Sequence, residues 1–436
     1  VKIEALRTLI IEGGAAGHLF HLYDNKDLTF AELKQVLSMA AEGKLQRVTE
    51  KLDGVNLVFT WDESVGDVRV ARTGNDISSG GMDAKALAAK FAGRGSIEKA
   101  FVGAFSVLHQ AVGALGRKTR AQVFGDEGNT WYSIEVIYAK NPNVINYDSN
   151  NIVFHASPVF RIKNGKVSQK QGAEGVDLLA QNIDKMQKSV TMNAWQVKGP
   201  AVIRMKKLSD GSIVRSALAA ITRAQSQAGV SDKRTINDYL RALMKEEVAD
   251  LDFQPKAAKA IVERALETPG ALGLNDIKKM IPADRISDAQ TFIRAAPELM
   301  KKFIAPIEVA IHQFATEVLS GLQSVLISDP DKEVQRLRTQ VGQAIKSIEA
   351  SGHAEAMSMV KSQLEKLGDV ENITAAMEGI VFIFKGNAYK FTGNFAPVNQ
   401  ILGLFKYGRG SFKPQESVVR TYVQILAEQA SGEYVG

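Results

Sequence analysis

The stretch Met377–Thr392, MEGIVFIFKGNAYKFT, reads as two short β-strands joined at Gly386-Asn387, and it stands alone behind a long run of helical sequence. A single two-stranded hairpin is marginal in water. This one must therefore find its sheet elsewhere in the chain, and the remaining β-like sequence lies in front of residue 170. There, runs such as VNLVFTW, DVRVART, AQVFGD, WYSIEVIYA and NIVFHASPVFRI are separated by Gly, Asn and Asp clusters, with helical segments at TFAELKQVLSMAAEG and SIEKAFVGAFSVLHQAVGAL. Between the two lies helical periodicity: Ile304, Ile307, Ile311, Phe314, Val318 and Leu322 recur at spacings of three and four. The helix restarts at ISDPDKEVQRLRTQV, with Asp329 as N-cap and Pro330 at the first helical position. The expected fold is α+β, an antiparallel-sheet domain interrupted by a large all-helical insertion. Its divisions are a first part over 1–170, the insertion over 171–372, and a completing hairpin with a helical tail over 373–436. At 436 residues and 45% hydrophobic, the chain has enough apolar sequence for two or three such units.

The hairpin also carries charge where a strand normally avoids it. Glu378 opens its first strand and Lys390 lies in its second, so a carboxylate and an ammonium are expected on neighbouring strands. Lys51, in RVTEKLDGVNLVFTW, stands at the head of another apolar run. On one reading Lys51 ends a strand at the surface and Asp53-Gly54 turns a hairpin. On the other, Lys51 is held in a pocket where burial and neighbouring cations lower its pKa and make it a nucleophile. Arg72 is either a sheet-edge residue before a Thr-Gly turn or an anion contact. Glu135 is either on a solvated face or in a site.

Taken in order, EKLDG (Glu50–Gly54), RTG (Arg72–Gly74), the strand with Glu135, IVFHAS around Phe154, EGIVF at Glu378 and YKF at Lys390 resemble the motif series of the covalent nucleotidyltransferase superfamily, the polynucleotide ligases and RNA capping enzymes. The resemblance spans Glu50 to Phe160 and Met377 to Thr392 and leaves the helical middle unmatched. It implies ATP and Mg²⁺ as cofactors and RNA or DNA strand ends as partners. Lys51 would carry AMP within the nucleotide-binding motif Glu50–Asp53–Gly54, and Lys390 would offset charge at the phosphate. Arg72 would contact ribose or phosphate, Glu135 ribose or metal, and Phe154 the adenine face. Glu378 would hold Mg²⁺. Gly54 and Gly379 would let backbone approach the nucleotide.

Three departures stand out. The family's second lysine in the last motif is Thr392 here, with Lys385 across the hairpin as a possible substitute. Ile134 replaces the glycine before Glu135. The sequence after Phe391 is too short for the OB-fold that DNA ligases and capping enzymes usually append. With Asn56 two residues after Gly54, giving EKLDGVNLVF, the resemblance is to phage-type and editing-type RNA ligases. A DNA ligase or guanylyltransferase is the alternative enzyme reading, and an inactive nucleic-acid-binding protein that kept the fold is the alternative of another class.

EGGAAGHLFHLYD (Glu12–Asp24) is a Gly-rich loop with capping histidines, or it brings His18 and His21 to the nucleotide pocket. The insertion is expected to act as a separable nucleic-acid clamp through Lys206, Lys207, Arg215 and Arg223. A net charge of +6 is compatible with a polyanionic partner. The absence of cysteine fits a reducing, cytoplasmic setting and excludes thiolate metal sites and disulfides. The N-terminal stretch has neither signal-peptide nor spanning-helix character, so no membrane association is expected.

Overall fold

The computed structural model describes residues 19–125, 127–140, 143–170, 174–351 and 354–407; the side chains of 156–158, 169, 170, 174, 351, 355 and 405–407 are outside the description. The fold is α+β, with two sheets. The strands are β1 (Gln46–Lys51), β2 (Val55–Asp62), β3 (Asp67–Ala71), β4 (Thr130–Ile137), β5 (Asn150–Lys163), β6 (Lys166–Lys170), β7 (Trp195–Lys198), β8 (Gly379–Phe384) and β9 (Asn387–Phe391). One sheet runs β1-β8-β9 and the other β3-β2-β4-β5-β6, all antiparallel, with β7 joined parallel to β5. The C-terminal hairpin thus finds its partner where its marginal stability requires, on β1. Its two-residue turn is Lys385–Gly386, one position earlier than the sequence suggests, because Phe384 pairs with Asn387.

β1 and β2 belong to different sheets, so Asp53-Gly54 does not turn a hairpin. It is a crossing between sheets, held by the Asp53 carboxylate, which accepts the backbone N–H groups of Val144 and Ile145 at 2.6 and 2.8 Å. The AQVFGD run is also not a strand. Arg117–Phe124 is a helix that buries Val123 and Phe124, the latter edge-on to Phe59 at 5.6 Å. Short apolar runs of this length do not distinguish strand from buried helix.

The helical stripe forms as expected in Ile286–Ser320, where Ile307, Ile311, Phe314 and Val318 are buried. Asp329 Oδ1 accepts the Lys332 N–H at 3.1 Å at the head of Pro330–Ser351. The helices do not form a separate body. β7 lies within 171–372 yet completes the larger sheet, and the helices from Ser212 to Ser320 share one hydrophobic core with Val48 of β1 and with Ile380, Phe382, Tyr389 and Phe391 of the hairpin. Phe314 meets Phe391 edge-on at 5.9 Å. The six-stranded sheet buries its own core against the helices of residues 84–124 and 174–189. Among the described residues, no helix is long and apolar enough to cross a membrane.

Candidate functional site

Register decides which charges meet. On β8, Ile380, Phe382 and Phe384 face the helical core, which leaves Gly379, Val381 and Ile383 on the opposite face. Lys51 is paired with Gly379 and Lys390 with Val381, so both lysines share that second face. Glu50 pairs with Ile380 and lies on the first. Gly379 allows this arrangement through closeness: a Cβ there would stand 2.0 Å from the Phe391 carbonyl oxygen.

Lys51 Nζ donates to Glu378 Oε1, and the two side chains are 21% and 15% exposed. Burial pushes the Lys51 ammonium down, but Glu378 in contact, with Glu135 and Asp53 behind it, holds its pKa above the ordinary lysine range. This reverses the expectation of a depressed pKa; neighbouring carboxylates outweigh neighbouring cations here. Burial pushes the Glu378 carboxyl up to about 7, partly opposed by Lys51 and reinforced by Asp53 and Glu135. Lys390 is pushed down, first by burial and then by Lys51.

The second sheet supplies the opposite wall. Ile134 and Val136 point into its core, so Glu135 points out of it, nearly buried, with Oε2 3.1 Å from His155 Nε2. Gly54 is needed beside it, since a Cβ at Gly54 would stand 2.7 Å from Glu135 Cγ and 2.8 Å from the Val136 carbonyl oxygen. The close approach that Gly54 permits is therefore to strand β4, and the one that Gly379 permits is to β9.

Several expected ligands are committed elsewhere. The Glu50 carboxylate, 2% exposed, accepts Ser324 Oγ at 2.7 Å and Val325 N–H at 2.8 Å, tying β1 to the loop after the long helix. Asp53 holds the 144–145 backbone, and its charge favours the Lys51 ammonium. Arg72 donates from a guanidinium nitrogen to the Asn56 carbonyl and lies 5.5 Å from the Phe101 ring centre; Thr73 behind it caps a short helix at Gly74–Ser78 instead of making a turn. Phe154 is 3% exposed and packs edge-on to Phe59 at 5.4 Å, so protein covers its ring. Lys385 sits at the far end of the hairpin, 2.5 Å from Glu32, and does not replace the lysine missing at Thr392. Thr392 is itself 5% exposed with an unpartnered hydroxyl.

Two residues bordering the charged cluster, His155 beside Glu135 and His21 beside the lysines, carried weaker sequence signals. His155 follows Phe154, and period-two alternation places it on the Glu135 face. His21 lies close enough to Lys390 and Lys51 for both to act on it, and burial first, then Lys390 and His312, push its pKa down to about 2. Its ring stacks on Tyr23 at 5.0 Å, and Tyr23 Oη lies 3.2 Å from His312 Nε2. His312 Nδ1 donates to the Gly393 carbonyl at 3.0 Å, and its Nε2 faces both Tyr23 Oη and the Glu308 carboxylate, whose Oε1 is 3.7 Å away. His18 falls outside the described residues.

Mg²⁺ is consistent with this donor set. Glu135 is buried and the Glu378 side chain is 15% exposed, and one ammonium does not return the Glu378 carboxyl to its ordinary range. Oxygen ligands in a site short of positive charge suit a hard divalent cation. No family model matches the chain, and neither a curated protein nor a solved structure matches it significantly.

Proposed function

We propose that the chain is an ATP-dependent nucleotidyltransferase of the polynucleotide-ligase type, acting on RNA ends, with Lys51 as the nucleophile. The observation that carries this reading is the convergence of Lys51, Glu378, Lys390 and Glu135, from two sheets, around one ammonium group. A solvated-surface reading of those charges leaves their common burial without a purpose.

In the proposed reaction Lys51 Nζ attacks the α-phosphate of ATP, the bond to the β-phosphate breaks, and pyrophosphate leaves. Glu378 is in contact to take the Nζ proton. Lys390 lies on the same face to meet charge at the phosphate. Glu378 and Glu135 are the carboxylates that would hold Mg²⁺, which would supply further charge neutralisation there. AMP then passes to a 5′-phosphate, and a 3′-hydroxyl displaces it to join the strands. With Phe154 covered, His155 is the aromatic side chain of β5 on the site's face. The preference for RNA rests on Asn56 in the EKLDGVN run.

Incubation with radiolabelled ATP or GTP and Mg²⁺, followed by a denaturing gel, tests the proposal. Label from ATP that disappears in Lys51→Ala supports it. Label from GTP alone points to a guanylyltransferase. Label that persists in Lys51→Ala moves the nucleophile, with exposed Lys44 the nearest lysine in sequence. No label at all favours a binding protein of this fold.

A further inference from the structure

The outer edge of β1 carries charge that the nucleotide chemistry does not use. Residues 201–208 run antiparallel along that edge: Glu50 N–H donates to Ala201 O at 2.7 Å, Ile203 N–H to Val48 O at 3.0 Å, and Leu208 N–H to Ala41 O at 2.8 Å. Thr49 bridges to Val202. At the far end the backbones touch, because a Cβ on Gly43 would stand 3.0 Å from the Lys206 carbonyl carbon. This register sets Arg47 at the level of Arg204, and Lys44 at the level of Lys206 and Lys207. All five are exposed. Arg47 sits in the β1 irregularity with φ 51°, a conformation few non-glycine residues adopt. Irregularities of this kind re-aim side chains.

Like charges facing one another across paired strands destabilise a fold. The flanking acidic residues offset the strip in part: Glu42 pairs with Lys44 at 2.5 Å, while Asp210 is occupied with the Ser212 N–H at 2.7 Å. The row also has a direction: it ends at Thr49 and exposed Val202, two residues short of Lys51. Arg47 is four residues from Lys51, about 13 Å of extended chain. That distance equals about four axial steps of one strand in a duplex.

We infer that the paired edge formed by residues 44–49 and 201–208 is a track for the phosphate backbone of a polynucleotide, leading its end to Lys51. The inference rests on the proposed nucleotidyl transfer for its direction, and on the geometry of the edge for its existence. It moves the strand-holding role from the body of the helical middle to a segment hydrogen-bonded to β1.

Fluorescence anisotropy with the full chain tests it, using a nicked RNA duplex and a nicked DNA duplex, both 5′-phosphorylated, over a salt series. The variants are Lys206→Glu with Lys207→Glu, Arg47→Glu with Arg204→Glu, and a control on a distant helix, Lys256→Glu with Lys259→Glu. Each track variant should weaken binding about tenfold or more and lower the slope of log affinity against log salt by about two, one per lost cation. The control should change binding less than either. Loss on both duplexes assigns the track to phosphate in general; loss on RNA alone assigns it to RNA. Unchanged binding, or equal weakening by the control, overturns the track. ATP labelling of the wild-type chain is read separately. A chain that does not label but binds through the strip loses the proposed reaction and keeps the track.

Discussion

Glu378 accepts a hydrogen bond from Lys51 across the seam between β1 and β8, and the carboxylate that secures the ammonium is also the best candidate to release it. In the resting pair Lys51 is protonated and a poor nucleophile. Glu378→Gln should therefore move two observables in opposite directions. Without the carboxylate, burial governs and the Lys51 pKa should fall below its ordinary 10.5, so Nζ should react faster with a small acylating reagent. Adenylation should fall about one hundred-fold, roughly 3 kcal/mol of transition-state stabilisation. Quantitative mass spectrometry of acetylated Lys51 across pH, beside ATP labelling, reads both. A parallel fall in both rates would mean that Glu378 only positions the lysine.

Gly54→Ala should be far more damaging than an ordinary loop substitution. The new methyl would stand 2.7 Å from Glu135 Cγ and 2.8 Å from the Val136 carbonyl, which cannot move without disturbing β4. A cost of about 1–3 kcal/mol is expected from overpacking, with loss of ATP labelling as Glu135 is displaced. Denaturant unfolding and labelling of the same preparation check it. An unchanged midpoint with full labelling would show that the Glu135 side chain is free to move.

The Thr392 position separates packing from missing chemistry. Its buried hydroxyl has no partner, so Thr392→Val should be neutral or stabilising by up to about 1 kcal/mol. Thr392→Lys, which supplies the second lysine of the ligase motif that the sequence resembles, should instead destabilise the chain, because its neighbours Thr316, Leu319, Met377 and Phe395 provide no countercharge. Lys385→Ala should change stability by no more than about 1 kcal/mol, as expected for an exposed pair. A stable, more active Thr392→Lys would contradict this placement.

His21 gives a pH signature. Its pKa is about 2 in the fold against 6.5 unfolded, so its contribution is fully present above pH 6.5 and is lost as pH falls. Lys390, Lys51 and His312 oppose protonation there, and Glu308 favours it. His21→Gln cannot protonate. Its stability deficit relative to wild type should shrink by about 2 kcal/mol between pH 6.5 and 5, at about 1.4 kcal/mol per pH unit. Parallel stability profiles for the two proteins would place His21 in water.

Periodicity made the elements legible, and parity limited the site. The stripe from Ile307 to Val318, the Asp329 cap and strands β2 to β5 of the larger sheet were legible in residue pattern, whereas β6 and β7 were not. The grouping of Lys51, Glu135, Glu378 and Lys390 was expected only from the resemblance of their motif series to that of the covalent nucleotidyltransferases. One-residue errors arose where sequence does not say which face a strand presents. Glu50 and Phe154 face away from the charged cluster, while their neighbours Lys51 and His155 face it. Asp53-Gly54 looked like a hairpin because strand partners are set by distant contacts, which a local turn signal does not contain. The same limit made residues 171–372 look like one insertion, although β7 among them pairs with β5.

That last point changes what can be removed. Composition suggests that the helical middle could be replaced by a short linker while Lys51 chemistry survived. The structure places the helices of residues 212–320 directly on the face of β1-β8-β9 opposite the lysines. Phe382, Tyr389 and Phe391, each about 1% exposed or less, rely on that cover. Uncovering three such side chains forfeits about 5–9 kcal/mol at 1.5–3 kcal/mol each, comparable to the whole stability of a typical domain. A chain joining residue 205 to residue 373 should therefore fail to unfold cooperatively and fail to label with ATP, even though Lys51, Glu135, Glu378 and Lys390 all remain. Point substitution at the interface offers a graded version: Phe314→Ala, which removes the ring facing Phe391 at 5.9 Å, should cost about 3–5 kcal/mol while leaving the charged face untouched. Thermal unfolding and ATP labelling below the midpoint distinguish the two effects. A shortened chain that folds cooperatively and labels on Lys51 would show that the hairpin sheet does not need its helical cover.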